Sequence, residues 1–289
     1  MAYRCKILAD SVFPEDEGGS RITTFLLTYP RIIHAQFMTH RMISRNCSSS
    51  RAIPVSKMIE RVFNDPFIPD SWPANGSGMR ASSDLSVEDA EKATAAWKAA
   101  LGKAIESAQE LVAIGVHKEI TNRLLEPWGW IDTIATATEW SNFFSLRCHP
   151  DAQPEIQKLA YMMFEQYQTS IPVMTSEHLP FITTAEWNAY SLEDLRKLAV
   201  GRCARVSYLT HEGKRDPQAD IALHDRLLNP AGEQQKPGEP RHMSAFEHIA
   251  SAKHGWFGNF RGWESYRKRI PGENISWEDF QMRSGEITT

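Results

Sequence analysis

The run RITTFLLTY at 21–29 is dense in β-branched and aromatic residues and predicts a strand, and Pro30 directly after it suits the first turn of a helix. This succession constrains the chain more than any other feature. It puts Ile33, Phe37 and Arg41 on one helical line and leaves Gln36, His40 and Arg41 near the helix end. SRNCSSSRAIP follows, a poor helix interior because serine and asparagine side chains compete for backbone hydrogen bonds, and it is expected to be a loop.

Elsewhere the spacing predicts mostly helix. Ser86 and Asp89 form a helix-start signal before a long helix ending near Gly115, and further helices are expected over 117–125, 132–147 and 154–169. Ser191 and Asp194 cap another, CARVSYL at 203–209 reads as a strand, and PQADIALHDRLL reads as a helix. PFIPDSWPANGSGMRASSD at 66–84 reads as an irregular excursion or lid, and PAGEQQKPGEPRH as an exposed loop. Strands toward both ends and helices over about 85–170 predict an α+β fold: a mixed β-sheet with a large helical portion, in a single domain over 1–289.

Composition narrows the function classes. With a net charge of −4 the chain lacks the overall basicity of a general polyanion binder, so any basic site must be local. Cys5, Cys47, Cys148 and Cys203 are scattered with no C-x-x-C pair, which argues against a disulfide framework or a structural zinc site. No signal segment or long apolar run is evident, so a soluble cytoplasmic protein without membrane contact is expected.

The stretch HRMISRNCSSSR at 40–51 concentrates three arginines among serines. Arginine forks suit phosphate oxygens, and serine hydroxyls with loop amides can fill the remaining acceptor sites. A solvated loop has the same composition, so spacing alone leaves both readings open. NFFSLRCHPDAQPEI offers Asn142 and Arg147, although an arginine at a helix end is also favoured by the macrodipole alone. Cys47 lies near Arg45 and Arg51, which nominally suits a reactive thiol.

Positions 39–51 resemble the signature of the flavin-dependent thymidylate synthases, R-H-R-x-x-S-x-N-x-x-S-x-R. His40, Arg41, Ser44, Asn46, Ser49 and Arg51 match, and Thr39 replaces the first arginine. ITTFLLTYPRIIHAQFMTHR resembles the family's lead-in, with Gln36 at a nucleotide-reaching glutamine. KEITNRLLEP resembles its R-x-x-L-P helix with Arg123 at the arginine, and NFFSLRCHPDAQPEI resembles its N-F-L-x-L-R segment. ARVSY and AFEHI resemble segments that ordinarily precede the signature, so the chain resembles a circularly permuted member, with permuted segments over about 203–270.

The resemblance implies a homotetramer with FAD sites between subunits. It implies transfer of a one-carbon unit from methylenetetrahydrofolate to C5 of dUMP, with NADPH as reductant and dTMP as product. The pyrimidine deoxynucleoside monophosphate would be held by Gln36, Arg41, Ser49, Ser50, Arg51, Arg123 and Arg147. Flavin or folate would neighbour His40, Ser44, Asn46, Asn142, Arg147, Ser207 and His248. Arg147 and Ser49 would carry catalysis, Arg147 by stabilising charge on the ring and Ser49 without acting as nucleophile. Thr39, and Cys47 where the family often has glutamate, open a second reading, flavin-dependent hydroxymethylation of dUMP or dCMP. Arg45, Arg261 or Arg267 could supply the cation missing at Thr39. A third reading, nucleic-acid binding through SRNCSSSR and FRGWESYRKR, runs against the net acidity.

Overall fold

The computed structural model describes residues 3–13, 20–77, 83–208, 210, 215–228, 243–270 and 273. Its first elements are β1 (Arg4–Phe13), β2 (Ser20–Pro30), α1 (His34–Met38), β3 (Ser44–Cys47), α2 (Val55–Asn64) and α3 (Val87–Ala113). Next come α4 (Lys118–Thr121), β4 (Trp130–Ala137), α5 (Ser141–Arg147), α6 (Pro154–Thr169), β5 (Val173–Met174) and β6 (Glu177–His178). The remainder are α7 (Thr184–Ala189), α8 (Leu192–Arg205), α9 (Pro217–Leu228), β7 (Ala250–Phe257) and β8 (Phe260–Ser265). The fold is α+β, with a five-stranded mixed sheet in the order β3-β4-β2-β1-β5 and a three-stranded sheet β6-β7-β8.

Strand β2 lies inside the larger sheet because both of its faces are apolar enough to bury. Phe25, Leu27 and Tyr29 pack on α5 and α6 through Phe143, Phe144, Ile156, Leu159 and Met163. On the other side, Leu26 and Ile134 meet Leu195, Leu198, Ala199 and Cys203 of α8 and Phe246 of a 3-10 turn at Ser244–His248. Each fully buried large side chain stabilises by roughly 1.5–3 kcal/mol, so covering both faces fixes β2 centrally. A separate cluster joins α2 and α3 through Met58, Val62 and Leu101 to Leu125 and Trp128.

Several expectations hold. Ser86 accepts from the Asp89 amide at the start of α3, α6 spans 154–169, and PQADIALHDRLL forms α9. In the 66–84 excursion, the described residues place Trp72 edge-on to Trp97 and bridge Pro73 to Asp84. PAGEQQKPGEPRH lies outside the described residues.

Four expectations are corrected. The helix after Pro30 ends at Met38, where Thr39 donates to the Gln36 carbonyl, so His40 and Arg41 sit in the turn beyond it. SRNC is strand β3 rather than loop, because pairing with β4 satisfies its backbone. Residues 132–147 divide into β4 and α5. The run WIDTIATA is buried on both faces and so shows no alternation to mark it as a strand. CARVSYL is not a strand: α8 continues to Arg205 and a 3-10 turn covers Val206–Tyr208. Leu195, Leu198, Ala199, Cys203 and Val206 are all buried at helical spacing, and tertiary packing outweighs the short β-like window. Gly201 sits where a Cβ would come within 2.3 Å of the Asp220 carbonyl oxygen, which lets α8 and α9 approach closely.

Candidate active site

Edge strand β3 and the loop after it are held from three directions. The Ser48 amide donates to the Asp132 carbonyl at 2.8 Å, the Ser49 amide to the Ser207 carbonyl at 3.1 Å, and Asn122 Nδ2 to the Ser50 carbonyl at 2.7 Å. Asn46 draws in the C-terminal segments. Its Nδ2 donates to the Cys203 carbonyl at 2.8 Å, and its Oδ1 accepts from Ser207 Oγ at 3.2 Å and Ser244 Oγ at 3.1 Å.

These contacts enclose a cavity of about 650 Å³, within the range of small-ligand sites. Arg31, Arg45, Arg51 and Arg123 line it with His34, Ser48, Ser49, Ser50, Ser207 and Ser244, and among the described residues no carboxylate lines it. Ser50 is buried, and its Oγ has no hydrogen-bond partner among the described residues. Such an orphaned group costs free energy unless a ligand or water meets it. Arg45 donates to the Phe37, Met38 and His40 carbonyls, closing the C-terminal end of α1. Burial, with Arg31 and Arg45 nearby, lowers the His34 pKa to about 4, so its imidazole is neutral near pH 7. Burial pushes the Cys47 thiol above its ordinary range, which removes the thiolate that nucleophilic chemistry needs.

Of the residues expected at the site, Asn46, Ser49, Ser50, Arg51, Arg123 and Ser207 meet at the cavity. Arg147 and His40 form a second group, with Arg147 Nε donating to His40 Nε2 at 2.9 Å. Burial first, then Arg147 and Arg45, lower the His40 pKa to about 4, which keeps it the neutral acceptor this bond requires. Exposed Arg41 and Asn142 flank this pair in sequence, and Gln36 bonds to Gln153. Ser44 Oγ accepts from Asn259 at 3.3 Å. His248 is fully buried: Nδ1 bonds Thr136 Oγ1 at 2.8 Å, and Nε2 has no partner among the described residues.

Arg31, His34 and Ser244 reach the cavity with no motif in the sequence to mark them, and Arg45 lies there at an unspecified position of the signature. Arg31 could have been marked by its place directly after the strand-ending Pro30. Of the three candidates to replace the cation missing at Thr39, only Arg45 lines the cavity. Arg261 pairs with Glu139 at 3.0 Å, and Arg267 with Glu247 and Glu273. With Arg269 held by Glu264, the basic side chains of the C-terminal stretch are largely paired with carboxylates. Among the described residues no cluster of His, Cys, Asp or Glu could hold a metal ion, and no helix is long and apolar enough to cross a membrane.

The profile described as thymidylate synthase complementing protein matches residues 21–173, more than half of the chain. The chain belongs to this family. It is thereby an enzyme of methyltransferase type. The matched span contains β2 from Arg21 on, β3, the serine-arginine loop, Arg123 and Arg147, whereas the cavity-lining residues from Ala204 to Ala245 lie beyond it. Two similar solved structures are of the UMP/dUMP methylase PolB from Streptomyces cacaoi. The one bound with 5-Br dUMP is 24% identical, with 53% of this chain and 67% of that chain covered and a TM-score of 0.43. The one bound with 5-Br UMP is 20% identical, with 60% and 91% covered and a TM-score of 0.48. No curated protein matches the chain.

Proposed function

We propose that the chain transfers a one-carbon unit to C5 of a pyrimidine deoxynucleoside monophosphate. The specific reaction is reductive methylation of dUMP to dTMP, with FAD as cofactor and methylenetetrahydrofolate and NADPH as co-substrates. One observation carries this reading: a family member holds a nucleotide-sized cavity whose described lining has four arginines, no carboxylate and a buried serine hydroxyl without a partner among the described residues. Ser49, Ser50, Arg51 and Arg123 would hold phosphate and sugar through charge-assisted hydrogen bonds, with Arg31 and Arg45 adding positive potential.

The Arg147 group would complete the site across a subunit interface in a homotetramer. Ile32, Met38, Met42 and Leu146, which lie close in sequence to Arg41 and Arg147, are exposed apolar side chains of the kind that subunit contacts cover. Asn142, Arg147 and these apolar groups would meet the edge and face of a flavin ring. When bound, FAD supplies hydride chemistry that side chains lack. Asn46, Ser44 and Ser207 are already engaged with other residues of the chain, so their part is to brace the walls. His40, neutral and hydrogen-bonded, would keep Arg147 oriented toward negative charge developing on the pyrimidine.

The test is anaerobic incubation with FAD, NADPH, methylenetetrahydrofolate and either dUMP or dCMP, followed by product mass. A product from dUMP heavier by one methyl group supports the reading. A hydroxymethyl product, or turnover of dCMP instead, overturns the specific reaction, and no turnover with either nucleotide overturns the assignment.

A further inference from the structure

Resting on the nucleotide reading, we infer that Glu126 is a positioning residue that assembles Arg31 and Arg123 into a single phosphate clamp at the cavity. Glu126 stands where the R-x-x-L-P pattern has leucine, and the carboxylate does what leucine could not. One oxygen, Oε1, takes Arg31 Nη2 at 2.9 Å and Arg123 Nη1 at 2.8 Å. Both arginines line the cavity, and Glu126 itself does not.

The backbone fixes the junction. The Gly129 amide donates to the Glu126 carbonyl at 3.0 Å, and the Arg31 amide donates to the Gly129 carbonyl at 2.9 Å. The entry to α1 is thereby tied to the turn that carries Glu126. Two guanidiniums sharing one contact atom repel each other unless an anion lies between them. Arg123 is about half exposed, with 49% of its side-chain surface accessible, so without the carboxylate it is free to swing into solvent.

Each arginine spends one terminal nitrogen on Glu126. The other N–H donors of both forks stay available to the oxygens of a phosphate monoester. The carboxylate thus lowers the ordering cost of binding by holding both forks in place before the ligand arrives. Because both contacts converge on one atom, the effects of Glu126 and its arginines on phosphate binding should be coupled rather than additive.

The experiment titrates wild type, Glu126→Gln, Glu126→Asp, Arg31→Gln and the Glu126→Gln/Arg31→Gln double variant with dUMP, then competes dUMP with inorganic phosphate. Glu126→Gln is expected to weaken dUMP and phosphate by about tenfold each, the size of change produced by losing one charge-assisted contact. Glu126→Asp should lie between wild type and Glu126→Gln. The double variant should lose less than the product of the two single losses. Thermal unfolding midpoints of all five proteins should agree closely, which separates clamp assembly from a general structural role. Unchanged or tighter dUMP binding in Glu126→Gln overturns the clamp, as do unchanged phosphate competition and strictly additive losses. A wild-type protein that binds no dUMP overturns the nucleotide reading itself.

Discussion

Asn46 Nδ2 donates to the Cys203 carbonyl oxygen at 2.8 Å, joining the strand that carries the signature to a helix 157 positions further along the chain. The same amide's Oδ1 accepts from Ser207 and Ser244. One buried side chain therefore holds together segments from both parts of the chain that line the cavity. Asn46→Ala should destabilise the fold by about 1–3 kcal/mol, because it leaves buried partners unsatisfied. Urea unfolding measures this. Asn46→Asp loses the donor and adds a charge, so it should be no less damaging, and a wild-type midpoint for either variant would contradict the brace.

Ser50 should behave in the opposite way. Its hydroxyl is buried with no partner among the described residues, so Ser50→Ala removes a desolvated group without breaking a bond seen there. Stability of the ligand-free protein should stay the same or rise, while dUMP affinity falls about tenfold, the size of one lost hydrogen bond. Calorimetry of the free protein beside a dUMP titration checks both halves. A loss of stability with unchanged affinity would make Ser50 structural.

Two fully buried histidines contribute to the acid limit of the fold, beside His34 and His40. Burial lowers His178 and His248 from 6.5 to about 3, and a chain of hydroxyls runs between them. Ser11 bonds His178 at 2.9 Å, His178 bonds Thr24 at 2.7 Å, Thr24 bonds Thr136 at 2.7 Å, and Thr136 bonds His248 at 2.8 Å. The unfolded chain takes up protons near 6.5 that the folded chain refuses. Their contribution is therefore complete above pH 6.5 and is lost progressively as pH falls toward 3. Denaturation midpoints should fall from about pH 7 to pH 4, with His178 and His248 together contributing a slope approaching two protons beside the shares of His34 and His40, and His178→Gln should remove about one proton of it. A flat profile would show that both rings are protonated in the folded protein.

The bond from Arg147 to His40 gives a kinetic prediction. Arg147→Ala should lower kcat by about 10²–10³ if its guanidinium meets developing charge on the pyrimidine. Arg147→Lys should recover little, because lysine has no equivalent of the Nε donor that His40 accepts. Steady-state kinetics with dUMP decide it, and a change confined to KM would reassign Arg147 to ground-state binding.

Several features of the protein were legible in the sequence because they depend on near neighbours. The strand before Pro30, the serine cap of α3 and the α6 and α9 spans follow from local chemistry. The family resemblance also marks Ser49, Ser50, Arg51 and Arg123, which the fold brings to one cavity. Other features needed the third dimension. WIDTIATA becomes a strand only because β2 and β3 flank it, and CARVSY stays helical only because α8 is buried against the sheet and α9. Arg31 and Glu126 carry no local sign of their pairing, and Asn46 none of its hold on Cys203 and Ser244. Periodicity and caps report contacts within a few residues. Strand partners, shared ion pairs and cavity walls depend on which distant segments pack together, and only the tertiary structure decided those.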